Sequence, residues 1–325
     1  MLRRNFVKAI ACSPLAWPAI LSAEQTRNTP WRIAHVYPGK YDNPSDLALY
    51  DVFRGELRKL GYAEGKNLII DQRSAEGMLE RLPSFYEELI ALRPDVIVAI
   101  TTPAIAAAQK ATSSIPIVMA PATDPIGSGF IKSYARPGGN ITGMANMNGD
   151  ALGKAIELLH DIVPSAKRIA VLLSNNPSHP KQYDLAEAAI RRLNLTAVRV
   201  VAPTPADLEQ AFDVMKSENS DALFVLADVT RPSIVTLAAR SLIPTIYQTA
   251  VYAPMGGLAS YSPALDPIYQ KVAQYCDRIF KGAKPAELPV EQPVIFELAL
   301  NLKTATLLGI TFPDRLIARA DKLIE

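Results

Sequence analysis

Two carboxylates and a set of hydroxyl and amide side chains stand at corresponding places in this chain, each just beyond a short apolar run. Thr101-Thr102-Pro103 follows the run 95–100, Thr123-Asp124-Pro125 follows the run that begins at Ile115, and Asn146 to Asn148 follow a third. Ser174-Asn175-Asn176, Ala227-Asp228 and Tyr247-Gln248 stand in the same relation to later runs. Such groups supply directional hydrogen bonds and fixed negative charge, which suits the capture of a polar small molecule. Asp124 and Asp228 would also serve as an acid/base pair; holding a ligand ammonium, or capping helices, is the preferred reading.

Little else offers catalysis. His35, His160 and His179 fall in different elements without the spacing of metal ligands, and His35 lies inside an apolar run, as a core or cleft residue does. There is no Gly-x-Ser-x-Gly elbow and no Gly-x-x-x-x-Gly-Lys loop. Gly127-Ser128-Gly129 and Pro137-Gly138-Gly139-Asn140 read as turn chemistry rather than as a phosphate cradle. Cys276 shares a helical face with Val272, Ile279 and Phe280 and reads as a buried, inert thiol. No enzyme, no cofactor and no metal are therefore expected. A net charge of +2 without a basic stripe gives no reason to expect a nucleic-acid partner.

The elements that must hold these residues alternate between strand and helix. Residues 31–37 read as a buried strand, and 46–60 as an amphipathic helix with Leu49, Phe53, Leu57 and Leu60 on one face, capped by Ser45 or Asp46 and stopped by Gly61. Residues 95–100 form a strand buried on both faces, Pro103 opens an Ala-rich helix, and 115–119 is the next strand. This order implies parallel sheets covered by helices on both faces. The second half repeats it. Arg32-Ile33-Ala34 returns as Arg168-Ile169-Ala170, Asn43-Pro44-Ser45 as Asn176-Pro177-Ser178, and Tyr50-Asp51 as Tyr183-Asp184. Leu57 maps onto Ile190 and Leu60 onto Leu193, and 95–100 resembles 221–226. The expected fold is α/β, with two similar doubly wound parallel-sheet lobes joined by a hinge. Their strand ends, and hence the polar residues above, should face a common crevice.

The N-terminus reads as an export signal over residues 1–23: basic Arg3, Arg4 and Lys8, a short apolar run, then Ser22-Ala23. Arg3-Arg4-Asn5-Phe6-Val7-Lys8 resembles a twin-arginine signal, with an ordinary secretory signal as the alternative. Ala9-Ile10-Ala11-Cys12 faintly resembles a lipoprotein box, but the apolar run before it is short. Without Arg3, Arg4 and Lys8 the 34 basic residues fall to 31, against 32 acidic, so the mature chain is near neutral. A periplasmic location is expected.

Five runs stand out: Thr102-Pro103-Ala104, Thr123-Asp124-Pro125-Ile126-Gly127, Ala135-Arg136-Pro137-Gly138-Gly139-Asn140 through Gly143, Gly256-Gly257 through Tyr261, and Leu288-Pro289-Val290-Glu291-Gln292-Pro293. Together they resemble the ABC-transporter substrate-binding family that includes tryptophan- and tyrosine-type receptors. The resemblance extends over about residues 30–325 and implies a type I periplasmic-binding fold whose chain crosses between lobes three times. It implies a first lobe of 30–143 plus 263–288 and a second of 144–262 plus 289–325. It implies ligand contacts at Thr101, Thr102, Thr123, Asp124, Asn146, Asn176, Asp228 and Tyr261. Tyr37, Tyr247 and Tyr261 would supply aromatic walls, though Tyr247 fits equally well as core. The implied ligand is a small organic solute, an amino acid or an aromatic acid, and the implied partner is the membrane permease of an ABC importer, served by a monomer. A periplasmic sensor feeding a signalling receptor is the alternative. Where many relatives read Ser-Tyr-Gly-Pro and then an acidic or amide residue, this chain has Ser260-Tyr261-Ser262-Pro263-Ala264, so a relative's ligand does not transfer directly.

Overall fold

The computed structural model describes residues 29–325 apart from 43, 147 and 148. The expected export signal, Asn43 of the repeat, and Met147 and Asn148 lie outside the described residues. The first half runs β1 (Trp31–Tyr37), α1 (Pro44–Lys59), β2 (Leu68–Ser74), α2 (Leu82–Ala91), β3 (Val96–Ala99), α3 (Thr101–Ala111), β4 (Ile117–Ala122) and β5 (Ile141–Ala145). After α4 (Gly149–Ile162) the order returns as β6 (Arg168–Leu173), α5 (His179–Arg192), β7 (Thr196–Val201), α6 (Leu208–Ser217), β8 (Ala222–Val225), α7 (Ser233–Arg240), β9 (Thr245–Tyr247) and β10 (Ala259–Pro263). The chain ends with α8 (Leu265–Phe280), β11 (Phe296–Asn301), α9 (Leu302–Leu307), α10 (Asp314–Ile317) and β12 (Lys322–Ile324).

The sequence repeat is a repeat of topology. The first sheet has the order β2-β1-β3-β4-β5, and five strands of the second have the matching order β7-β6-β8-β9-β10. All of these neighbours pair in parallel. Successive residues alternate between faces, as strand geometry requires. Val96 and Val98 enter one apolar cluster, and Ile97 and Ala99 another on the opposite face. In the second lobe Leu223 and Val225 separate in the same way from Ala222 and Phe224. Leu57 and its repeat partner Ile190 are both fully buried, each contributing about 1.5–3 kcal/mol. Cys276 is also fully buried, and desolvation pushes its thiol pKa up.

Several boundaries differ from the sequence expectation, for local reasons. The strands expected at 95 and 221 begin one residue later. Asp95 instead turns its carboxylate back to accept the Arg32 N–H at 2.8 Å, and Asp221 accepts the Arg168 N–H at 2.9 Å. The strand expected at 115 begins at Ile117, because Thr112 Oγ1 accepts the N–H groups of Ser114 and Ile115 and holds them in a turn. Helix α1 starts at Pro44, which puts Ser45 and Asp46 inside its first turn. Asp46 is buried and accepts the Tyr37 hydroxyl at 2.8 Å.

Strand β11 is antiparallel to β10 and parallel to β12, the one reversal among the described strands of the second sheet. Chain path explains it. After β10 the chain leaves to form α8, which packs on α1, β4 and β5 of the first lobe. It then returns past β5 and re-enters the second sheet from the end at which it left. The returning segment is pinned to β5. Thr142 Oγ1 donates to the Leu288 carbonyl at 2.8 Å, Glu291 N–H to Gly143 at 3.1 Å, and Ala145 N–H to Glu291 at 2.8 Å.

Gly143 makes this junction possible. Its φ is +122°, and a Cβ there would lie 2.5 Å from the Met119 nitrogen and 2.6 Å from its carbonyl oxygen. Backbone cannot yield as a flexible side chain does. Gly143→Ala is expected to destabilise the protein by about 2 kcal/mol or more, read as a melting temperature lowered by several degrees in thermal unfolding.

Candidate ligand-binding site

Loops at the carboxyl ends of both sheets enclose one cavity. From the first lobe it is lined by Tyr37, Asp46 and Leu49, by Thr101 and Thr102 after β3, and by Thr123 and Asn146 after β4 and β5. From the second it is lined by Asn176, Ala227, Asp228, Thr230, Gln248 and Val251, and from the crossing by Pro263, Leu265 and Tyr269. The centres of water molecules have about 70 Å3 within it, which is room for several waters or one small solute.

Local chemistry at the first-lobe rim is unusual. Thr101, the first residue of α3, has φ +66°, and Asp124, just after β4, has φ +46°. A β-branched residue in that region is strained, and such strain concentrates at functional sites. Thr101 Oγ1 is buried and lacks a hydrogen-bond partner among the described residues. It sits where α3 presents its unpaired N–H groups and the positive end of its dipole. Thr102 is buried, and its hydroxyl accepts the Thr123 N–H at 3.2 Å, so it ties together the loops after β3 and β4.

The second-lobe rim is a polar network with defined roles. Asp228, its side chain 6% exposed, accepts from Asn176 Nδ2 at 3.2 Å and lies 3.9 Å from Arg231 Nη2. Asn176 Oδ1 in turn accepts from the Ser178 N–H and hydroxyl. His179 Nδ1 accepts the Ser174 N–H at 2.8 Å, which leaves Nε2 to donate to the Ala227 carbonyl at 3.2 Å. These bonds describe the neutral imidazole, and burial accordingly lowers the His179 pKa. Gln248 Oε1 accepts the Ala227 N–H at 3.0 Å, while its buried Nε2 has no partner among the described residues. The cavity thus presents two carboxylates, Asp46 and Asp228, and two unmatched polar groups, on Thr101 and Gln248.

Of the residues expected at a site, Thr101, Thr102, Thr123, Asn146, Asn176 and Asp228 line this cavity, and Asp124, Tyr247 and Tyr261 do not. Asp124 lies at the rim. Its Oδ1 accepts the Gly127 N–H, and its Oδ2 meets Lys181 Nζ of α5 at 2.6 Å, an ion pair between the two lobes. Tyr247 is fully buried and stacks on Tyr252 at 4.5 Å, one layer behind the cleft. Tyr261 stacks on Phe296 at 5.8 Å against the core of the second lobe. Sequence reasoning did not single out Asp46, Leu49, Thr230, Val251, Leu265 or Tyr269 for the site. The repeat offset of 133 residues that joins Asn43 to Asn176 also joins Asp46 to His179, and both are buried polar groups at a helix start. That correspondence was the available signal; the apolar residues carried none.

The glycine-rich and proline-rich runs lie elsewhere. Asn140 Nδ2 donates to the carbonyls of Thr112 and Ile115, at 3.2 and 2.8 Å, and clamps the loop between α3 and β4. Gly138 N–H donates to Ala286, and Val290 N–H to Tyr134. The runs 135–143 and 288–293 therefore meet at the crossing beside β5. Residues 41–324 match the family model described as ABC transporter substrate binding protein. The chain belongs to this family.

Among its relatives is a protein named tyrosine-binding protein from Clostridioides difficile strain R20291, 27% identical over 253 residues, or 76% of this chain and 72% of that one. A crystal structure from Streptococcus pneumoniae, described as an ABC domain in complex with L-Trp, superposes with a TM-score of 0.84 at 27% identity over 91% of this chain and all of that one. A conserved domain protein from Vibrio cholerae gives 0.85, with the same identity and coverage. Substrate-binding proteins of this family share the periplasmic-binding-protein-like fold with two parallel-sheet lobes. Among the described residues no helix is long and apolar enough to cross a membrane, and no group of His, Cys, Asp or Glu could hold a metal ion.

His35 is no part of the cavity wall. It is fully buried on β1 with its ring 4.9 Å from that of Tyr50 and 5.5 Å from that of Phe53. Burial lowers its pKa from 6.5 to about 3. The unfolded chain then binds a proton that the native state refuses, so stability falls as pH drops from 6.5 toward 3. This one group contributes a slope of about 1.4 kcal/mol per pH unit. His35→Phe is expected to flatten the pH dependence of the urea midpoint between pH 6.5 and 5, relative to the parent.

Proposed function

We propose that this protein is the receptor of an ABC importer and captures an aromatic amino acid between its lobes. The observation that carries this reading is the pairing of opposite polar features around one small cavity. Thr101, with an unmatched hydroxyl at the start of α3, suits a ligand carboxylate; Asp228, buried and held by Asn176, suits an ammonium. Tyr37, Leu49, Val251, Leu265 and Tyr269 offer an apolar and aromatic surround for a ring. The relative named for tyrosine and the structure solved with L-Trp support the choice of aromatic amino acids.

In this reading the ligand docks on one lobe, and the second lobe completes its hydrogen bonds as the hinge closes. Lobe one comprises 30–143 and 263–288, lobe two 144–262 and 289–325, and residues 1–23 direct export to the periplasm. Two contacts hold the closed form: the Asp124–Lys181 ion pair and the Thr230 hydroxyl donating to Asp46 Oδ1 at 3.4 Å. The ligand stabilises closure only through its greater affinity for the closed form. A dissociation constant near 1 μM, about 8 kcal/mol, suits a receptor that must also release its cargo to a permease. Binding without turnover is all the chemistry this cycle requires.

Calorimetric titration of the mature protein with tyrosine, tryptophan, phenylalanine, their desamino analogues and a panel of sugars tests the reading. The aromatic amino acids should bind and the desamino acids should not; binding of a sugar alone would overturn it. Asp228→Asn should weaken binding of the amino acid by about thirtyfold or more, the cost of removing one partner of a buried charge pair.

The rim ion pair makes a smaller and separable contribution. Lys181 is 61% exposed, so Lys181→Met should speed ligand release only about twofold to fivefold. In stopped-flow measurements the parent should approach the variant's rate as salt rises from 0.1 to 1 M, where the screening length falls from about 10 to 3 Å.

A further inference from the structure

The cavity has a thin apolar wall. Leu49, Val251 and Leu265 line it, and the same three side chains line a second hollow of about 340 Å3, against about 70 Å3 for the cavity itself. They come from three separate elements: Leu49 from α1, Val251 from the turn after β9, and Leu265 from the first position of α8. The wall is therefore one side chain thick. Beyond it the hollow is lined by Ala48, Ala250, Pro254, Ala264 and Ile295, with Asp266 and the Glu297–Lys322 ion pair also facing it. Ala264, beside Leu265, contributes only a methyl group to the hollow.

Thr101, Asp228 and Gln248 come from strand-end loops, whereas the wall comes from α1, the turn after β9 and the crossing, with the carboxylate of Asp46 also on α1. A zwitterion held by Thr101 and Asp228 then has its side chain directed at the wall. We infer that Leu49, Val251 and Leu265 set the largest side chain the receptor accepts, and that the outer hollow is the space a longer aromatic side chain enters when the wall is thinned. This rests on the amino-acid reading above. The three wall side chains have no hydrogen bond or charge to satisfy, so truncating them joins the two spaces without leaving a wall group unpaired.

The test compares the parent with Leu265→Ala and Val251→Ala, each checked for folding by its thermal melt, in calorimetric titrations with tyrosine, tryptophan and 4-phenylphenylalanine. The parent should bind tyrosine or tryptophan and reject the biphenyl amino acid. In at least one thinned variant, the affinity for the biphenyl amino acid relative to the better natural ligand should rise tenfold or more. A thickened wall, Val251→Phe, should shift preference the other way, from tryptophan toward leucine, an inversion that general loosening of the fold would not produce. Folded variants that keep the parent's ligand with unchanged relative affinities would overturn the inference and leave the amino-acid reading standing. A parent that binds neither tyrosine nor tryptophan would overturn both.

Discussion

Chain continuity across two parallel sheets is the constraint on which this molecule depends. A strand that leaves a sheet at its carboxyl end can re-enter only after crossing space, and here the chain uses that space to build α8 on the other lobe. The return segment must then come in at the end where β10 went out, which is why β11 alone runs against its neighbour β10. The returning segment lies beside β5, where Thr142, Gly143 and Ala145 bond to residues 288 and 291. Because these are backbone or buried bonds, they anchor the returning segment to the first sheet just before it enters the second.

Polar satisfaction then divides the cleft into structural and receptive groups. Asn176, Thr102 and His179 spend their hydrogen bonds on neighbouring loops. A buried polar group left unmatched costs about 1–3 kcal/mol, so these bonds are what allow so many polar side chains to sit at one place. Thr101 and Gln248, both lining the cavity, keep buried atoms unmatched among the described residues, and the strained φ of Thr101 adds to the cost the fold carries at that point. Strain and unmatched polar groups of this kind concentrate at functional sites.

The runs that carried the family resemblance are mostly not the residues that line the cavity. Asn140 and Gly143 belong to the crossing, Gly257 lies where a Cβ would meet the Tyr247 ring at 2.7 Å, and the run 288–293 is the returning strap. They are distinctive because their jobs admit few side chains: a close backbone approach, a two-carbonyl clamp, a strap without a helix. Cavity residues such as Leu49, Val251 and Leu265 are ordinary apolar residues, and nothing about their type announces their position.

The α/β class, the two lobes, the order of strands and helices and the strand-end residues Thr101, Thr123, Asn146, Asn176 and Asp228 were legible in the sequence. Each rests on local periodicity or on the internal repeat, which a chain displays before it folds. Tertiary structure alone decided the rest. Asp46 reads as a helix cap until Tyr37 comes within 2.8 Å of it, and Tyr247 reads equally as cleft wall or core until Tyr252 and Gly257 close over its ring. Asp124 reads as a ligand contact until Lys181, 57 positions away in sequence, meets it across the mouth. A residue's type and its neighbours in sequence set what it can bond; which partner claims it depends on groups that only folding brings near.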